Sequence, residues 1–115
     1  MSDLQDNDMA LSSGIAAFEG KHFATAMQLL SPLADEGNPE AEYRVAIMQQ
    51  GGLIGTHNMP EAVKYMRAAA EQGHGLAQHG LAVMYLEGEG VEKDAQKAIE
   101  WFEKAAAQGL QGSLT

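Results

Sequence analysis

Four histidines, sixteen acidic residues and no cysteine make up the chemically capable part of this 115-residue protein. The lack of cysteine removes thiol nucleophiles, thiolate metal sites and disulfide frameworks in one step. His74 and His79 stand five residues apart across an expected turn, and His22 and His57 fall in different loops. None of the four forms an i, i+4 pair with another ligand-type residue in a recognised order, the spacing by which a helix turns two side chains to one metal. Ser12-Ser13 and Ser31 have no nucleophile-elbow context. Gly88-Glu89-Gly90 is too short for a phosphate loop and follows a helical pattern instead of a strand. No catalytic, cofactor or metal site is expected, and the chain reads as a non-enzyme.

Charge narrows the partners. Sixteen acids against seven bases give a formal charge of −9, spread over both ends and the loops. Nucleic acid and anionic membrane both demand a basic face, so neither is an expected partner. Residues Met1 to Asp8 carry three acids, no basic stretch and no apolar stretch, unlike a secretion signal. No run approaches the roughly 18 apolar residues of a membrane span. A cytoplasmic location is the expectation.

What remains is to ask which elements hold these residues, and the glycines answer. Gly37, Gly73 and Gly109 recur at intervals of 36 residues, as do Ala26, Ala62 and Ala98. Aligning 37–72 on 73–108 without a gap gives identity at 9 of 36 positions, mostly alanine and glycine. A period of this length with small residues at fixed places is the signature of stacked helical repeats. Each copy reads as two antiparallel helices. In the third, Ala77, Leu81, Met84 and Tyr85 form one stripe, residues 88–93 break the helix, and Asp94 caps a second whose stripe is Ala98, Trp101, Phe102 and Ala105. In the middle copy, Asn38-Pro39 and Asn58-Met59-Pro60-Glu61 start helices expected over about 39–50 and 59–72, the second with the form of a capping box. Leu29/Tyr65/Trp101 and Leu30/Met66/Phe102 are expected to fill the space between layers. Glu40/Arg44 and Glu100/Lys104 have i, i+4 spacing for exposed ion pairs.

The first copy is irregular. Its leading helix is expected from about Asp8 to Glu19, closing at Gly20 after a tail over 1–7 that is expected to be disordered. Pro32 falls inside its second helix, where a kink near Gln28 or Leu29 is expected. The single repeat domain over 8–115 thus divides into copies at about 8–37, 38–73 and 74–109, with a fourth starting at 110–115. That arrangement would leave Phe102, Ala106 and part of Trp101 uncovered, a patch suited to self-association through the C-terminal repeat or to a longer repeat protein.

The third copy also resembles a known family. Met84-Tyr85, Gly88-Glu89-Gly90-Val91, Asp94, Lys97-Ala98, Trp101 and Lys104-Ala105-Ala106-Ala107-Gln108-Gly109 carry the pattern of the Sel-one-like repeat, a relative of the tetratricopeptide repeat. The middle copy keeps Ala62, Tyr65, Ala69, Ala70 and Gly73 but replaces the Gly-x-Gly-Val loop with Leu53-Ile54-Gly55-Thr56-His57. The resemblance, over about residues 14–112, implies an all-α, right-handed α/α superhelix of about three helix-turn-helix repeats that serves as a scaffold or adaptor. The disulfides of the family's cysteine-rich branch are absent. By register with tetratricopeptide units, a protein or peptide partner would lie on the concave face formed by the leading helices, against Tyr43, Ile47 and Gln50 of the middle copy and His79, Val83 and Leu86 of the third. The alternative is a regulatory fragment of a larger enzyme-associated or signalling repeat protein, with catalysis elsewhere.

Overall fold

The 36-residue register becomes six helices: α1 (Asp3–Glu19), α2 (Phe23–Asp35), α3 (Pro39–Gly51), α4 (Met59–Glu71), α5 (Gly75–Glu87) and α6 (Ala95–Ala107). In the computed structural model, residues 3–55 and 57–109 are described, with side chains from residue 8 onward, and no strand occurs among them. Consecutive helices pair as α1/α2, α3/α4 and α5/α6, and the pairs stack through α2 against α3 and α4 against α5. The stack measures 46 × 31 × 23 Å. No helix among the described residues is long and apolar enough to cross a membrane.

The middle and third repeats are punctuated by the same kind of hydrogen bond, while His22, at the N-cap of α2, makes no side-chain cap bond. Asn38 Oδ1 accepts from the N–H of Ala41, Asn58 Oδ1 from Glu61 and Asp94 Oδ1 from Lys97, at 3.0, 3.2 and 3.1 Å. These bonds satisfy donors that the helix itself leaves free. The expected reciprocal half of a capping box at Asn58 is not made. Its N–H donates to Gln49 O at 3.1 Å, and the Asp94 N–H donates to Tyr85 O at 2.9 Å in the equivalent place. Both bonds tie the start of the second helix to the last turn of the first. Gly37, Gly73 and Gly109 sit at φ 95°, 94° and 84°, where a side chain would clash with its own backbone.

The first repeat departs from the expected boundaries at its start. α1 begins at Asp3 and not at Asp8, so the segment assigned to a tail is helical from Asp3 on. α1 ends at Glu19, and the left-handed residue that follows is Lys21 at φ 65°, not Gly20. An L-residue there is strained by about 1 kcal/mol. Lys21→Gly is therefore expected to raise the thermal midpoint by a few degrees, after allowing for the extra freedom glycine gives the unfolded chain. α2 runs through Pro32 as one helix. The expected fourth copy at 110–115 lies outside the described residues.

Alanines at the repeated positions let the helices approach. Ala26, Ala41, Ala46, Ala62, Ala69, Ala77, Ala82 and Ala105 are wholly buried, and Leu30, Met48, Met66, Leu81 and Met84 fill the space they leave. Tyr65 is buried as well, and its hydroxyl donates to Asp35 Oδ1 at 2.6 Å, tying α4 to α2. That bond to a carboxylate, helped by burial, pushes the phenol pKa up to about 12.

Candidate functional site

Tyr43, Ile47 and Gln50 are spaced i, i+4, i+7 along α3, and His79, Val83 and Leu86 repeat the pattern on α5, so each triplet occupies one helical stripe. Of the six, only Leu86 is exposed. Tyr43 and Ile47 are half-buried and pack against the core cluster, Val83 is half-buried outside it, and Leu86 is 46% exposed. Gln50 Nε2 donates to Glu89 Oε1, a bond that links the middle repeat to the loop after α5.

Tyr43 and His79 are equivalent in register, yet they meet different neighbours. Tyr43 stacks on His74, with centroids 4.9 Å apart and an interplanar angle of 26°, and burial raises its pKa. His79 stands edge-on to Phe102 at 5.3 Å. The side chain of Phe102 thus draws on a residue of the stripe for cover.

Beneath Tyr43 lies a cluster that residue types did not announce. Arg44, expected to be an exposed ion-pair residue, has a side chain only 15% exposed. Its guanidinium bonds Glu40 Oε1 at 2.5 Å and lies 5.9 Å from the ring centres of both Phe18 and Tyr43. His74, expected beside a turn, is the N-cap of α5. Its Nδ1 accepts from the N–H of Ala77 at 3.2 Å, and its Nε2 is 3.4 Å from Glu40 Oε1. An imidazole whose Nδ1 accepts carries its proton on Nε2, so His74 donates to Glu40 without being charged. Partial burial is the largest single influence on the Glu40 carboxyl and raises its pKa, but the Arg44 and His74 contacts together hold it below the usual carboxylate range. The other expected pair, Glu100 with Lys104, does not form. Lys104 Nζ lies 4.3 Å from the Trp101 ring centre, where its charge meets the π-face.

A second repeated feature locks the α3/α4 and α5/α6 pairs. Gln72 Nε2 donates to Glu42 Oε1, and Gln108 Nε2 to Gln78 Oε1, both at 2.7 Å. The two bonds are related by the repeat. Gln78 Nε2 also donates to Ala70 O at 3.2 Å, joining its repeat to the one before. The identity of Gln72 with Gln108 was the sequence signal, but nothing in residue type said what the amides would hold.

Among the described residues, no group of three or more metal-ligating side chains comes together. The two triplets offer aromatic, aliphatic and amide side chains on α3 and α5, which suits contact with another polypeptide.

Comparison with known proteins agrees with this architecture. The family model described as Sel1 repeat matches residues 39–74 and 75–110. Chitin synthase regulatory factor 2 of Schizosaccharomyces pombe is 36% identical over 72% of the chain, and an uncharacterized protein of Neisseria meningitidis serogroup B is 41% identical over 75%. The chain spans only 16% and 17% of these two relatives. A Sel1 repeat protein from Oxalobacter formigenes superposes with TM-score 0.82 at 31% identity, over 88% of this chain and 42% of that one. A protective antigen of uropathogenic Escherichia coli with the same repeat fold gives TM-score 0.86 at 32% identity, over 93% of this chain and 24% of that one. Cysteine-rich protein B of Helicobacter pylori, at 17% identity and TM-score 0.74, shares the fold.

Proposed function

The chain belongs to the Sel1 repeat family, and from that premise we propose that it is a non-catalytic scaffold whose leading-helix face receives a partner protein. Sel1-repeat proteins are generally protein-interaction scaffolds, all-α solenoids without a catalytic centre of their own. The observation that carries the reading is the stripe shared by α3 and α5, where Val83 is half-buried outside the core cluster and Leu86 is 46% exposed. These apolar groups of the third repeat, at the register positions that Ile47 and Gln50 hold in the middle one, give a partner a surface to contact.

The test must spare the fold. Tyr43→Ala removes the stack on His74, and His79→Ala uncovers Phe102, so these changes mix stability with binding. Val83→Glu and Leu86→Glu are cleaner, because neither side chain belongs to the core. Each is expected to abolish capture of a partner recovered with the unaltered protein, with the thermal midpoint held within a few degrees. Ile99→Glu, on the trailing helix α6, serves as the control and is expected to capture normally. Capture lost with Ile99→Glu and kept with Leu86→Glu would place the contact on the opposite face.

A second reading, self-association through α6, is favoured by one observation. Ile99 stands in register with Val63, which packs against the loop at Gly90, yet Ile99 is 49% exposed. Its check is light scattering at about 100 μM: a monomeric mass unchanged by Phe102→Glu rules this reading out. The name of the fission-yeast relative suggests a regulatory setting for such a scaffold, and co-purification with a much larger catalytic subunit would support it.

A further inference from the structure

Between α4, the last turn of α5, the 88–94 loop and the start of α6 lies a cavity of about 390 Å³, lined by Arg67, Tyr85, Val91, Glu92, Asp94 and Lys97. None of these residues belongs to the stripe on α3 and α5. Arg67 approaches the Tyr85 ring to 5.8 Å from its centroid, and Lys97 to 5.4 Å. Neither cation forms an ion pair among the described residues, although two acids border the same space. Asp94 is engaged elsewhere, since its carboxylate caps α6 through the N–H of Lys97. In a protein of net charge −9, two adjacent cations without carboxylate partners are unexpected.

The tyrosine adds an independent observation. Tyr85 is only 5% exposed, and its hydroxyl has no hydrogen-bond partner among the described residues. Nor is that hydroxyl sealed in the core, where Arg44 Nε is the buried side-chain polar atom left without a partner. The phenol therefore reaches the open space that its residue lines. Three donors, one from a side chain more than nine-tenths buried, line a cavity in the size range of ligand sites, and none of them is bonded to an acceptor among the described residues.

Stacking of the repeats does not require this arrangement. Thirty-six residues earlier, Ser31, Gln49 and Glu61 stand where Arg67, Tyr85 and Lys97 stand, so the corresponding corner between the first two repeats has neither cation. Charge bears on the ligand as well: Glu92 and Asp94 border the same space as the two cations, so the lining is near neutral overall and disfavours a phosphate dianion. A carboxylate matches a guanidinium in shape and accepts from a phenol at the same time.

We propose that Arg67, Tyr85 and Lys97 form a carboxylate-binding site, separate from the leading-helix face, that takes an acidic group of a partner polypeptide. The source is the side chain of a glutamate or aspartate, or the free carboxylate at a polypeptide's C-terminus. Three tripeptides distinguish these in amide-detected NMR titrations: a blocked peptide with one central glutamate, a triglycine with a free C-terminal carboxylate, and a blocked peptide with central glutamine. At least one acidic peptide is expected to give saturable shifts centred on residues 67, 85 and 97, with a dissociation constant on the order of 1 mM. The stronger of the two identifies the source, and the glutamine peptide is expected to give none. The Arg67→Gln/Lys97→Gln double variant is expected to abolish the shifts. Tyr85→Phe is expected to weaken binding about tenfold with an unchanged thermal midpoint, because its hydroxyl has no partner to lose. The proposal is overturned if all three peptides shift the spectrum alike, if inorganic phosphate saturates the site and neither acidic peptide does, or if Tyr85→Phe binds as the unaltered protein does.

Discussion

Leu30→Ala is expected to cost about 2–5 kcal/mol, a large share of the 5–15 kcal/mol that holds a domain of this size together. The side chain is wholly buried in α2 and packs against α1 at Gly14. A Cβ placed on Gly14 would stand 2.4 Å from Leu30 Cδ2 and 2.6 Å from its Cγ, closer than packed atoms approach. Gly14→Ala alone should then be destabilising by about 1–3 kcal/mol, reduced by the roughly 1 kcal/mol that alanine gains over glycine within a helix. The two changes are not independent. Once Leu30 is alanine, the new methyl at position 14 enters the space that the leucine left. A double-mutant cycle by urea denaturation should show favourable coupling of about 1–3 kcal/mol, with the double variant more stable than Leu30→Ala. Gly80→Ala is the contrast. Its Cβ would meet Met66 Sδ at 2.9 Å, the far end of a flexible side chain that swings aside, so the change should be nearly neutral. Strict additivity at positions 14 and 30 would mean that α1 shifts to absorb the contact.

Particular residues show how far the sequence could be read. Repeat boundaries were legible because Gly37, Gly73 and Gly109 do one backbone job three times, and a job that only glycine does cheaply leaves the same letter. Asn38, Asn58 and Asp94 were legible as caps for a similar reason: a short polar side chain before a helix has few other uses. His74 performs the same task and was missed, because an imidazole before a helix has many. Lys21 was missed because Gly20 beside it is the residue type that the left-handed conformation ordinarily selects. At the candidate face, register correctly made Tyr43 and His79 equivalent in the backbone. It could not supply their neighbours, since those come from positions that differ between copies: His74 for one and Phe102 for the other. Arg44 was misread for a related reason. Its i, i+4 spacing to Glu40 gave the ion pair but said nothing of Phe18, which arrives from another repeat to bury it.

Glu42→Gln is expected to stabilise the protein by about 1–2 kcal/mol at pH 7, against the usual direction of substitutions at buried sites. Glu42 is 5% exposed and accepts one hydrogen bond, from Gln72. Burial raises its carboxyl pKa above the ordinary 4.5, and the Gln72 bond only partly opposes that. The native state therefore favours the protonated acid. Its contribution is best below the unfolded-state value and is lost as pH rises through the higher folded value, so at neutral pH the ionised group detracts from stability. The next repeat shows what an amide does in the same place. Gln78 keeps the bond from Gln108 and adds one of its own to Ala70 O, whose counterpart for position 42 is Ala34 O. An opposing effect is the attraction of a carboxylate to the first turn of α3, which is about 0.3–1 kcal/mol at exposed sites. Desolvation relieved and one hydrogen bond gained together exceed it. Thermal midpoints across pH 3–8 test the balance. The variant should melt several degrees higher at pH 7, and the gap should close towards pH 4 as Glu42 takes up its proton. A variant that melts lower at pH 7, with the gap widening as pH rises, would show that the helix-terminus attraction outweighs burial at this position.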